Sequence, residues 1–376
     1  LKIYILKVNI ICYFIKYFIN IILKMSTTAS DSDLKIISSV AIWKPFPTTN
    51  KKTLMSTVGF CGPIGFHNRC CWCIGIRWDK PGKCWGDPFI LPKIIFVYAG
   101  FGNLNFFYDK IYPYIPKYHK YILIIGDEDI TIPRQTDKRY NKTHSIECHC
   151  CYCFPFTMSM WDNFVNNKQI HHIFTTHLDI PKSYRYSPIP VGFNPLEHND
   201  KDIDTLLLVK VDSDIMSRPL KIKGCCRIHG DSAQWDDRRI VKNLAETCWS
   251  NFTEWGPIPK SVFFLNIQKY SFLFCPHGGG LEPNPKVFTA IYCCTIPIIK
   301  RFVNCEILYK DLPVVFIDDW SEHNITLKKL KLWKEELKPY FYDKNKRREV
   351  LKKLTADYWF EYIIKTSETN KQYLIF

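Results

Sequence analysis

FLFCPHGGGLEPNPKVFTAIYCCTIPIIK, Phe272 to Lys300, is the stretch whose reading decides the fold. An apolar run ends at Cys275-Pro276, and three glycines, Gly278 to Gly280, follow it. Glycine lets a backbone approach a neighbour closely. Pro285 suits the first turn of a helix, where its missing N–H costs nothing. A helix is therefore expected from about Pro285 to Cys294, and a second buried strand over Ile296–Ile299. The amides of that helix's first turn would favour a phosphate. His277 and Lys286 add positive charge, and Glu282 or Asn284 could bind sugar or ribose hydroxyls. The spacing fits neither the dinucleotide fingerprint nor a Gly-Lys-Ser/Thr phosphate loop. By physics alone, a nucleotide site and a tight structural turn stand level.

Working outward, apolar runs without alternation, followed by polar residues, read as buried parallel strands. Ile94–Phe101, Tyr121–Gly126, His171–Phe174, Pro219–Ile228 and Pro313–Ile317 are of this kind, and Leu34–Trp43 also reads as a strand. Helical spacing marks Arg238–Cys248, Leu327–Leu337 and Lys346–Lys365. Strand, glycine turn, helix, strand is the rhythm of an α/β protein. Three parts are expected: residues 1–33 as an upstream extension or anchor with a flexible start, an α/β domain over 34–195, and a second over 196–365. The region up to Pro92 is rich in Cys, Trp, Gly and Pro and reads as irregular.

The 272–300 segment resembles the donor-binding signature of exostosin-like glycosyltransferases, particularly those of large DNA viruses. The resemblance is carried by Cys275-Pro276, Gly278-Gly279-Gly280-Leu281-Glu282, Phe288-Thr289-Ala290-Ile291 and Thr295-Ile296-Pro297-Ile298-Ile299. Leu312 to Ser321, LPVVFIDDWS, resembles a second segment of that family, and Tyr358-Trp359 its aromatic pair. The resemblance implies two Rossmann-like domains facing a cleft, the GT-B type. It implies a glycosyltransferase moving sugar from a nucleotide-diphosphate donor to a glycan, protein or lipid acceptor. No cofactor and no metal are required under this reading. The candidate donor site, taken from the residues and the resemblance together, comprises Arg227, Arg239, His277, Gly278, Gly279, Gly280, Glu282, Asn284, Lys286 and Thr289. Thr289 stands where the family usually has Glu, and Cys294 where it has Gly, which would crowd a backbone needing positive φ. A catalytically degenerate binding or structural protein is the alternative these departures keep open.

Asp127 and Glu128 follow an apolar strand and are the expected acid or base on the acceptor side, where a metal role for Asp127/Asp129 or Asp212/Asp214 competes less well. Arg227, Arg238 and Arg239 could neutralise a diphosphate leaving group, which needs only positive charge where negative charge develops. The pairs Cys70/Cys73 and Cys148/Cys151 have zinc spacing, but 74 residues separate Cys73 from the next pair, and no zinc is expected. Lys plus Arg is 51 against 36 Asp plus Glu, a net charge of +15, which suits anionic ligands. No basic stripe with ordered aromatics goes with it, so nucleic acid is not an expected partner. Seventeen cysteines, several adjacent, suit reduced thiols and a cytoplasmic setting, the host cytoplasm under the viral resemblance. Secretory membranes are the alternative, with membrane association only through residues 1–24, an apolar run broken by Lys16.

Overall fold

The computed structural model describes residues 31–44, 72–75, 81–100, 102–126, 129, 131–134, 157–193, 214–229, 235–283 and 285–371. The first half contains α1 (Asp31–Val40), β1 (Ile42–Lys44), β2 (Trp72–Ile74), β3 (Lys83–Gly86), β4 (Ile94–Tyr98), α2 (Asn103–Phe106), β5 (Tyr121–Gly126), α3 (Met158–Asn166), β6 (Ile170–Thr175) and β7 (Tyr186–Pro188). The second contains β8 (Ile222–Gly224), α4 (Asp236–Glu246), β9 (Thr253–Trp255), α5 (Phe263–Ile267), β10 (Phe272–Phe274), α6 (Lys286–Tyr292), β11 (Ile296–Lys300), α7 (Cys305–Tyr309) and β12 (Val315–Ile317). Four helices close it: α8 (Leu327–Leu337), α9 (Pro339–Tyr342), α10 (Lys344–Lys353) and α11 (Ala356–Lys371).

Strands β1 to β7 form one sheet in the order β1-β3-β2-β4-β5-β6-β7, with β2–β3 its one antiparallel pairing. Strands β8 to β12 form a wholly parallel sheet in the order β12-β11-β10-β8-β9. Counted within its own five strands, that is the doubly wound order 2-1-3-4-5, which reverses between β8 and β10. The expected α/β architecture of two Rossmann-like domains is what the chain adopts.

Both faces of the central strands of each sheet are buried, which is why those strands read as unbroken apolar runs. Along β4 and β5, Ile95, Val97, Leu123 and Ile125 pack with Leu34, Ile37, Leu104 and Phe164 from α1, α2 and α3. Phe272, Phe274, Ile296 and Ile298 pack with Val241 and Ala245 of α4 and Leu330 of α8. The remaining inward residues share a single core. Phe96, Ile124 and Phe174 of the first sheet join Leu273 and Ile299 of the second, with Phe288 of α6 and Trp359 and Ile363 of α11. The last helix thus returns to the first domain, where Tyr362 meets Phe174 edge to face at 6.1 Å. A continuous apolar core holds two domains together more firmly than a polar linker contact does.

Two local readings change. Residues 34–43 form a helix and then a short strand, not one strand. Leu34 and Ile37 lie one turn apart and are buried, while Ser38 and Ser39 hydroxyls donate to the Lys35 and Ile36 carbonyls. The expected helix over 346–365 is two, α10 and α11. Asp343 caps the first through the Asn345 and Lys346 amides, and the Thr355 hydroxyl accepts from Tyr358 N–H at 3.3 Å where the second begins.

Cys294 does need the positive φ that its replacement of glycine raised. Its φ is 55°, and α6 ends in a Schellman motif, with Thr295 N–H on Ala290 O (2.8 Å) and Cys294 N–H on Ile291 O (3.2 Å). Buried arginines add donors to the carbonyls at this end: Arg347 donates to Ile291 O and Tyr292 O at 3.1 and 3.0 Å, and Arg218 to Cys293 O at 3.2 Å. Arg347→Met should therefore cost about 2–3 kcal/mol, the scale of lost charged hydrogen bonds in a buried site. Urea denaturation measures it, and a change within about 0.5 kcal/mol would mean that water caps the helix equally well.

Membrane association through residues 1–24 is not upheld. Among the described residues no helix is long and apolar enough to cross a membrane, and residues 1–24 themselves lie outside them.

Candidate functional site

The glycine turn follows β10 directly, at the strand's carboxyl end, as expected. Residues following the carboxyl ends of β5 and β6 in the other sheet meet it there. Asp129, three residues past β5, and His177, two past β6, lie against Gly279 and Gly280. The two sheets therefore point their carboxyl ends at each other across the turn, the place where open α/β sheets bind ligands.

The reason for three glycines is now specific. None of the three has a left-handed backbone; what each requires is space. A Cβ on Gly278 would lie 2.2 Å from Arg238 Nη2, one on Gly279 1.7 Å from Asp129 Oδ2, and one on Gly280 2.3 Å from the His177 ring. Real side chains do not approach so closely. The expectation was a backbone bared for a ligand; side chains of the protein itself make the close approach, and all three glycines are buried.

Arg238 is anchored from α4. Its Nε donates to His277 O at 3.1 Å and its Nη1 to Arg227 O at 2.6 Å, with the guanidinium 4.6 Å from the Trp235 ring. Beside it Asp237, also buried, holds Lys300 Nζ at 2.5 Å, and its second carboxylate oxygen lies 3.9 Å from His277 Nε2. The His277 ring meets Phe302 edge to face. His277, Arg238 and Asp237, all buried, and the partly exposed Lys300 thus form one polar cluster against the turn.

Glu282 differs most from its expected role of accepting from ribose or sugar hydroxyls. It is 3% exposed, and both carboxylate oxygens are engaged: Val191 N–H donates to one at 2.8 Å and Tyr309 O–H to the other at 2.6 Å. Its own N–H donates to His177 Nδ1 at 3.0 Å. This fixes the proton of a neutral His177 on Nε2, and His177 sits at a φ of 51°. Burial pushes the Glu282 carboxyl up to about 7, the hydrogen bonds from Tyr309 and Val191 opposing that rise. Glu282 is a brace between the domains. Asn304 is another, its Nδ2 donating to Leu178 O and Ile180 O at 3.2 and 2.8 Å while its Oδ1 accepts from Lys182 N–H at 3.0 Å.

The other expected residues are scattered more widely. Thr289 is buried, and its hydroxyl donates to Pro285 O at 3.3 Å within α6, so it faces its own helix. Arg239 pairs with Asp236 on the outer face of α4. Arg227 is exposed, and Lys286 opens α6 half-exposed. Asp127, Glu128 and Asn284 lie outside the described residues. Of the zinc-spaced cysteines only Cys73 is described. Among the described residues no group of three or more His, Cys, Asp or Glu is placed to hold a metal.

Sequence reading underrated Arg238 and passed over His177, Asp237 and Lys300. His177 stands two residues past β6, much as Asp129 stands three past β5, and that parallel was the available signal. Nothing in the sequence separates Arg238 from Arg239. They differ only in which face of α4 each occupies.

No protein-family model matches the chain, and no curated protein matches it. Among solved structures it is similar to Anabaena HepE in complex with UDP, with 8% identity over 75% of this chain and 78% of that one and a TM-score of 0.36. It is also similar to sucrose-phosphate synthase from Thermosynechococcus elongatus (10%, 75% and 74%, 0.38). A third similar structure is an alpha-glucosyltransferase in complex with UDP-glucose and DNA containing an abasic site (10%, 74% and 80%, 0.35). Likenesses this distant leave the chemistry to be read from the residues of the chain itself.

Proposed function

We propose that the chain is a glycosyltransferase, exostosin-like in its donor segment, that moves a sugar from a nucleotide diphosphate to an acceptor hydroxyl. One observation carries the reading: residues following the carboxyl ends of parallel strands in both sheets meet at Gly278–Gly280, with Arg238 and Lys300 on one side and acidic and imidazole groups on the other. Arg238, Lys300 and His277 belong to the second domain, with Lys286 opening the helix after the turn; Asp129 and His177 belong to the first.

The division suits the reaction. The acceptor oxygen bonds to the anomeric carbon as the bond from that carbon to the diphosphate oxygen breaks. The acceptor's proton passes to a carboxylate following β5, Asp127 or Glu128. The electron pair of the broken bond leaves on the diphosphate, and fixed positive charge in a water-poor site stabilises it there. Neither cofactor nor metal is required under this reading. The acceptor is a glycan, protein or lipid, and the resemblance sets the protein in the host-cell cytoplasm of a large DNA virus.

A second reading, a binding protein that has kept the fold without the reaction, has an observation of its own. Arg238, Asp129 and His177 already fill the space above the three glycines. Turnover separates the two. Incubated with a panel of nucleotide sugars and simple glycosides, the purified chain should release nucleoside diphosphate, and Lys286→Ala should weaken donor binding by about 1–3 kcal/mol, the worth of a charged hydrogen bond. Binding without release under any acceptor would favour the second reading.

A further inference from the structure

Asp237 and His277 hold a relation that the transfer reaction does not by itself require. Asp237 is 8% exposed, and its Oδ2 makes no hydrogen bond, an expensive state for a buried carboxylate oxygen. Its Oδ1 is taken by Lys300 at 2.5 Å. His277 Nε2 lies 3.9 Å from Oδ2, short of a hydrogen bond by about 1 Å. His277 is itself 5% exposed.

Asp237 Oδ2 and the uncharged Phe302 ring face this imidazole, while Arg238 of α4 donates to the His277 backbone carbonyl and Lys300, at the end of β11, holds the other oxygen of Asp237. Two fixed positive charges stand against one negative. A diphosphate diester on the glycine turn would bring two further negative charges and reverse the balance. One added proton then returns the cluster to neutrality, and the charged Nε2–H supplies the donor that Asp237 Oδ2 lacks.

Resting on the nucleotide-sugar reading above, we propose that donor binding is coupled to uptake of one proton by His277, with Asp237 as the residue that positions and stabilises the imidazolium. The bound state would then hold one proton more than the free one. Binding would weaken as pH rises, because the proton must be drawn from an ever more dilute supply.

The test is calorimetry of UDP-glucose binding to the full chain at pH 7 in buffers of different ionisation enthalpy. The diphosphate of UDP-glucose is a diester and takes up no proton of its own near neutral pH, so any uptake belongs to the protein. The wild-type chain should take up between about half a proton and one, and its affinity should fall about tenfold between pH 6.5 and 8. His277→Gln should bind more weakly with no uptake, and Asp237→Asn should show reduced uptake. Buffer-independent heat in the wild-type chain overturns the proposal whatever the variants do, and so does undiminished uptake in His277→Gln. Absence of binding by UDP-glucose and every other nucleotide sugar at all pH values overturns the donor reading as well. That outcome is distinct from binding without proton uptake, which overturns the coupling alone.

Discussion

Replacing Glu282 by alanine is expected to destabilise the folded chain by about 3–5 kcal/mol. Two buried donors, Val191 N–H and Tyr309 O–H, lose their acceptor at about 1–3 kcal/mol each, and the vacated space adds to the loss. Chemical denaturation measures it, and a cost below about 1 kcal/mol would mean that the domains do not depend on this brace. The pH dependence supplies an independent check. The folded-state pKa of Glu282 lies near 7, above the ordinary value of 4.5. The folded form therefore binds the proton more tightly than the unfolded one. The contribution is complete below about pH 4.5 and is lost as pH rises through 7, by roughly 3 kcal/mol across that window. Glu282→Gln cannot titrate, so its stability should fall less than the wild type's between pH 4.5 and 7.5. Parallel curves would remove Glu282 as the source.

The second large effect lies one glycine away. Gly279→Ala should destabilise the chain by about 1–3 kcal/mol, because its Cβ would fall where Asp129 Oδ2 now lies. In an Asp129→Ala background most of that cost should vanish, since a shortened side chain leaves room for the methyl group. The difference between the two backgrounds is the coupling energy, and additive effects would place Asp129 elsewhere. The same pair bears on binding. A donor phosphate and the Asp129 carboxylate cannot both rest on Gly279, and their like charges repel. Asp129→Ala should consequently raise affinity for UDP-glucose by about tenfold, near 1.4 kcal/mol, whereas Gly279→Trp should abolish binding and also force the domains apart.

Much of the fold was legible because burial on both faces leaves an unmistakable trace. Tyr121–Gly126 reads as a buried strand and is β5, and Leu327–Leu337 reads as an amphipathic helix and is α8. α1 was misread because LKIISSV carries its apolar residues in a run too short to separate a strand's spacing from a helix's. The serine-to-carbonyl bonds that settle the matter leave no periodic mark. The turn at Gly278–Gly280 was found from its strand, glycines and proline alone. What faces it was not, because Asp129, His177 and Arg238 converge through tertiary packing across long separations in the chain. Glu282 carried the right chemistry for a sugar contact and lost that role to burial, which sequence spacing does not report.

The junction at Gly278–Gly280 is the proposed seat of a nucleotide-diphosphate sugar. The most direct measurement is the melting temperature of the chain against a panel of nucleotide sugars and free nucleotides, since a ligand that binds only the folded state must raise it. At a hundred times its Kd, a true donor should add about 2.7 kcal/mol of apparent stability. That gain should be lost in Gly279→Trp once its own lower melting temperature is taken as the baseline. A panel in which no nucleotide sugar shifts the transition, or one whose shift survives Gly279→Trp undiminished, would contradict the claim.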